Sequence, residues 1–169
     1  MLPPPEVLVL KFNSLLLLLP LLAGCPPAGD TASTDTGVCS SGTEWTGGNE
    51  ESPNMNPGQD CIACHSSGEG PDFTIAGTVM GDYADPDDCN GVEGMLVRIT
   101  DADGVLIELT SNAAGNFYST KDIAMPYTAE VEGTDGVIAA MSAEQTTGAC
   151  GSCHTADGAE GAPGRVVEP

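Results

Sequence analysis

The chain has 169 residues, with 25 acidic side chains against four basic ones, a formal charge of −21. Such a surface repels the phosphates of nucleic acid and of anionic lipid headgroups, so neither is an expected partner, and basic proteins or divalent cations would be favoured instead. Solubility alone explains much of this acidity. Aromatic residues make up 4 % of the chain and the length suits one modest domain, so large pockets are not expected.

The N-terminus reads as an export signal. Lys11 precedes the apolar run Leu15 to Leu22, and small residues follow in Leu22-Ala23-Gly24-Cys25. A basic residue, a short apolar stretch and small residues before a cut describe a secretory signal, and the run is too short for a convincing membrane span. Leu-Ala-Gly-Cys resembles the bacterial lipoprotein processing box, which implies cleavage before Cys25 and lipidation of that cysteine. The segment from Pro26 to Gly37 has almost nothing apolar to bury and reads as a tether. The expected location is extracytoplasmic, lipid-anchored to a bacterial membrane at the periplasm or cell surface.

Two identical frames follow, Cys61-Ile62-Ala63-Cys64-His65 and Cys150-Gly151-Ser152-Cys153-His154. Each reads C-x-x-C-H, the signal for covalent attachment of haem c. Two sulfurs bond the haem vinyl groups and the adjacent imidazole binds the iron. The frames use both histidines of the protein. His65 and His154 are therefore the expected proximal ligands of two haems. The opposite axial positions fall to methionine, with Met55 and Met141 each standing a short way before its frame. A five-coordinate or water-ligated iron stays open, and Met80, Met95 and Met125 are expected in or on the intervening module.

Other chemistries compete for the same cysteines. Cys61, Cys64, Cys150 and Cys153 could form a four-cysteine zinc site, disulfides in an oxidising compartment, or a redox-active dithiol. Of the remaining cysteines, Cys39 and Cys89 are left to pair with one another.

Between the frames the pattern changes to short β-branched runs. Phe73 to Met80, Met95 to Thr100, Val105 to Thr110, Asn116 to Ser119, Tyr127 to Val131 and Val137 to Met141 read as strands. Asp101-Ala102-Asp103-Gly104 is a hairpin turn. Its calcium-like spacing lacks the downstream Glu of a binding loop. Regular short strands with turns between them give a small β-sandwich. Gly77-Thr78-Val79, Gly94 leading into Val97-Arg98-Ile99, Gly104, Thr110 through Phe117 and Pro126-Tyr127-Thr128-Ala129 resemble the carboxypeptidase regulatory-like, transthyretin-type family over residues 73–142. That resemblance implies a rigid accessory module, seldom catalytic.

Both frames run into small, polar, Gly-rich stretches that end in proline: Ser66 to Pro71 and Thr155 to Pro163. These read as two related haem loops, expected to leave their haems exposed. The fold class is thus mainly β, a small transthyretin-like β-sandwich flanked by two Gly-rich haem-binding loops. The divisions are a signal peptide at 1–24, a tether at 25–38, a first haem segment at 39–72, the sandwich at 73–142 and a second haem segment at 143–169. Peroxidase-type catalysis needs a distal acid/base group, usually histidine, and none is spare. The expectation is a dihaem c-type cytochrome lipoprotein, not an enzyme, passing electrons to redox proteins or extracellular acceptors. The alternative is a non-redox surface lipoprotein whose sandwich binds a partner and whose cysteines form disulfides or hold zinc.

Overall fold

The computed structural model describes residues 37–48 and 51–169. The export signal, the lipidation of Cys25 and nearly all of the tether lie outside the described residues. Among the described residues seven strands form two sheets: β1 (Ile75–Met80), β2 (Leu96–Thr100), β3 (Leu106–Thr110), β4 (Asn116–Ser119), β5 (Thr128–Glu132), β6 (Ile138–Ala140) and β7 (Val166–Val167). One sheet has the order β4-β1-β7, the other β3-β2-β5-β6. The molecule is a small, mainly β sandwich.

Alternation decides which side chains meet between the sheets. Ile75 and Val79 of β1, Phe117 of β4, Val97 and Ile99 of β2, Ile107 of β3 and Val131 of β5 form the core, joined by Met95 and Tyr127. On the outer face of the larger sheet Arg98 stands opposite Glu108 on β3 and Glu130 on β5. It pairs with both and with Glu132. The Asp101 turn closes the β2–β3 hairpin: its carboxylate accepts from the backbone N–H groups of Asp103 and Val105 at 3.0 and 2.8 Å. Those bonds hold the Asp101 carboxyl below its usual range.

β1 is buried along its whole length because both faces and both edges are covered. Its outer face receives the chain that leads into the first frame. The Thr78 hydroxyl accepts from the Gly58 N–H at 2.8 Å and donates to Asn116 Oδ1 at 2.7 Å. One edge pairs with β4. The other is shared by two pieces of chain, both parallel to β1: Ala149 beside Ala76, then β7 beside Val79 and Met80. The second frame and its loop leave through the gap in this interrupted edge strand. A disulfide joins Cys39 to Cys89, as the count of cysteines predicts, and ties the first described segment to the β1–β2 connection. No helix among the described residues is long and apolar enough to cross a membrane.

Candidate functional site

Each frame is one helical turn, α1 (Cys61–Cys64) and α2 (Cys150–Cys153). A helical turn sets residues three apart on one face, which is how both sulfurs of a frame can reach one ligand with the histidine next in line. Asp60 caps α1, accepting from the N–H groups of Ile62 and Ala63 at 3.2 and 3.3 Å. In α2 the His154 N–H closes the turn on the Cys150 carbonyl at 2.9 Å.

Far apart in sequence, the two turns pack together. A Cβ on Gly151 would stand 2.6 Å from the Gln59 carbonyl oxygen and 3.0 Å from the Asp60 Cα. On its other side α2 leans on β1, where a Cβ on Gly77 would come within 2.8 Å of the Cys150 Cβ and 2.9 Å of the Phe117 ring. Burial pushes the Cys61 thiol up to about 11. Burial, and then the proximity of Cys61, push the Cys150 thiol up to about 12. The Tyr127 hydroxyl donates to the Thr147 carbonyl at 2.8 Å. It too is raised, by burial first and then by Cys150.

The histidines share one arrangement. His65 Nδ1 lies 2.9 Å from the Pro71 carbonyl oxygen, and His154 Nδ1 lies 2.8 Å from that of Gly164. A carbonyl oxygen can only accept, so each Nδ1 carries a proton, and in the neutral ring each Nε2 keeps its lone pair. Neither Nε2 has a hydrogen-bond partner among the described residues. Each imidazole also needs a glycine. A Cβ on Gly70 would lie 2.6 Å from the His65 ring. Gly164 sits at φ +146, where a Cβ would lie 2.6 Å from the Tyr83 carbonyl oxygen. The two proline-ended loops are thus alike in structure as in sequence: each folds back to present a carbonyl to its histidine.

The surroundings of the frames differ. Cys150, Cys153 and His154 line a cavity of about 360 Å³ between the second frame and the inner face of the larger sheet. Met141 is part of its wall, as are Val97, Val131 and Arg165. This overturns the expectation that large pockets are absent. Few aromatics do not close a cavity here; small residues such as Ala129, Ala139 and Ala140 leave the room open. No residue of the first frame reaches this cavity. His65 instead stacks on Phe73 at 4.2 Å between centroids, and Phe73 on the exposed Tyr118 at 4.7 Å. Met55 is held elsewhere, its carbonyl accepting from Asn116 Nδ2 at 2.9 Å, and it is not part of the cavity. Met80 and Met95 are in the interior and Met125 is exposed.

Cys61, Cys150 and Cys153 are free thiols; Cys64 is disulfide-bonded. No group of three or more His, Cys, Asp or Glu among the described residues is arranged to hold a metal ion. The raised thiols of Cys61 and Cys150 are also unlike those of a reactive dithiol, which works through a lowered pKa. The sequence reading missed Arg165, whose rarity as a base in an acidic chain was the available signal. It also missed the carbonyls of Pro71 and Gly164, whose trace was the proline ending both loops.

No protein-family model, curated protein or solved structure matches the chain.

Proposed function

We propose that this protein is an extracytoplasmic electron carrier with two covalently attached haems c, one on each C-x-x-C-H frame, held at a bacterial membrane by a lipid on Cys25. The observation that carries this reading is the shared state of the histidines. Histidines that ligate metals donate their second ring N–H to a carbonyl or carboxylate, which fixes the tautomer and the plane of the ring. His65 and His154 both do so, and the protein has no other histidine.

At the second frame the residues present fit the group. Cys150 and Cys153 are free thiols on one turn, and the cavity beside them falls in the range of roughly 300–1,000 Å³ typical of ligand sites. Haem bound there supplies reversible one-electron chemistry. His154 would ligate the iron, and the carbonyl of Gly164 would orient its ring. Apolar side chains of β2 and β5 exclude water from one side. At the first frame Cys61, Cys64 and His65 would take the same roles only after Cys64 is reduced to a thiol. The test is the absorption spectrum and intact mass of protein matured in a cell that exports and attaches haem c. A sharp α-band on reduction and two haems per chain support the reading; a colourless product overturns it.

The disulfide at Cys64 favours a second reading, a non-redox surface lipoprotein that uses its cysteines structurally and binds a partner with its sandwich. In that case the matured protein carries no haem, and thiol counting under denaturing, non-reducing conditions still returns the thiols of Cys61, Cys150 and Cys153 that haem attachment would consume.

A further inference from the structure

We propose that Cys61 and Cys150, the first cysteines of the two frames, are a redox-active pair that closes into a disulfide and links the frames in the haem-free protein. This cross-link holds whether or not haem is ever attached. Both residues are free thiols, and neither is fully buried. The fold brings their backbones together. A Cβ on Gly151 would stand 2.6 Å from the Gln59 carbonyl oxygen and 3.0 Å from the Asp60 Cα. The residue after Cys150 thus rests on the residues before Cys61. The Cys61 Sγ lies 3.7 Å from that same Gln59 oxygen, so one carbonyl separates the Cys61 sulfur from the backbone beside Cys150.

Cys150 is held from its other side. Ala149 is paired beside Ala76 of β1, the Cys150 Sγ lies 3.7 Å from the Gly148 carbonyl, and a Cβ on Gly77 would come within 2.8 Å of the Cys150 Cβ. Backbones packed at this range can meet the Cα separation of roughly 4.4–6.8 Å that a disulfide needs. The electrostatics points the same way: Cys61 acts on the Cys150 thiol more strongly than does Cys153 of the same frame. The oxidant is an external disulfide, of the kind that exported proteins meet. One protein sulfur, as thiolate, attacks it, forming a mixed disulfide and releasing one small thiol. The second protein sulfur displaces the other small thiol and closes the Cys61–Cys150 bond. Two protein thiols are oxidised, the external disulfide is reduced to two thiols, and the two protons pass to those leaving groups. On the haem reading, the cross-link and attachment compete for Cys150, and reduction must precede loading of the second frame.

The test is non-reducing peptide mapping with thiol counting on the full chain, matured in a cell that exports it but attaches no haem. Both are done before and after equilibration with oxidised glutathione. A linked Cys61–Cys150 peptide is expected, and of the three thiols of Cys61, Cys150 and Cys153 only that of Cys153 should survive. Cys153→Ser should still form the link and end with no free thiol among the three positions. Cys61→Ser should form no link between the frames. A Cys150–Cys153 or Cys61–Cys64 link in place of the expected one, glutathione adducts alone, or three surviving thiols overturns the proposal. None of these outcomes bears on whether haem attaches, which the spectrum of the haem-loaded chain decides separately.

Discussion

Arg165 and Gly58 lie 107 residues apart in sequence, yet Arg165 Nη1 donates to the Gly58 carbonyl at 2.5 Å. The same side chain donates through Nε to the Asp85 carbonyl at 2.8 Å and pairs through Nη2 with Asp87 at 2.5 Å. One buried cation therefore joins the chain entering the first frame, the acidic β1–β2 connection and, through the His154 carbonyl, the second frame. It also follows directly on Gly164, whose carbonyl holds the His154 ring.

Replacing Arg165 with Met should leave the Gly58 and Asp85 carbonyls without a partner. A buried acceptor left unsatisfied costs about 1–3 kcal/mol. We expect a loss of about 2–5 kcal/mol, and a melting temperature lower by roughly 10 °C for a chain of this size. Circular dichroism melts would read it. Asp87→Asn is the contrast: that carboxylate is 64 % exposed, and exposed pairs contribute about 0–1 kcal/mol. Equal losses in the two variants would show that Arg165 acts through the ion pair and not through the carbonyls.

Gly77→Ala should act on the second frame in particular. The added methyl would stand 2.8 Å from the Cys150 Cβ and 2.9 Å from Phe117, neither of which is the free end of a flexible chain. Overpacking of this kind costs about 1–3 kcal/mol. The measurement is stability together with haem content: the variant should lose occupancy at Cys150 and Cys153 while Cys61 and Cys64 load as before. Uniform loss at both frames would count against a local clash.

Much of the sandwich was legible in the sequence because its strands alternate between core and solvent and are cut by turns with their own chemistry. Asn116–Ser119 has the bounds that the pattern gives, and the Asp101 turn is the hairpin that its Asp-Gly predicts. β7 was not legible. Two residues carry no period, and Val166 and Val167 become a strand only because β1 offers its second edge beyond Ala149. The frames announced themselves as motifs, but their contact did not, since it depends on Gly151 reaching Gln59 and Asp60 across the fold. Nor does any residue type mark a backbone carbonyl as the partner of an imidazole.

Thiol ionisation should make the haem-free, reduced chain sensitive to alkali. An ordinary thiol titrates near 8.5, whereas Cys61 and Cys150 are pushed up to about 11 and about 12. The folded state thus holds these protons after the unfolded state has released them. Stability is full below about pH 8.5 and is lost as pH rises through the folded values. Urea midpoints between pH 8 and 11 should fall steadily, and Cys61→Ser with Cys150→Ser should flatten the dependence. An unchanged slope in that variant would assign the alkaline loss to other groups.

The histidine tautomers give the most direct check on the candidate site. Both carbonyl contacts, at 2.9 Å for His65 and 2.8 Å for His154, require a proton on Nδ1. Long-range proton–nitrogen correlation spectra of the haem-free protein, above the pH at which imidazole is neutral, should show both rings as the Nδ1–H form, the minority tautomer of free histidine. Gly164→Ala should release His154 alone, because a Cβ there meets the Tyr83 carbonyl at 2.6 Å and must displace the Gly164 carbonyl. His65 should keep its tautomer in that variant, since its partner is Pro71 on the other loop. If either wild-type ring proves to be the Nε2–H form, its free nitrogen faces a backbone oxygen instead of a metal, and that frame is not preorganised for ligation.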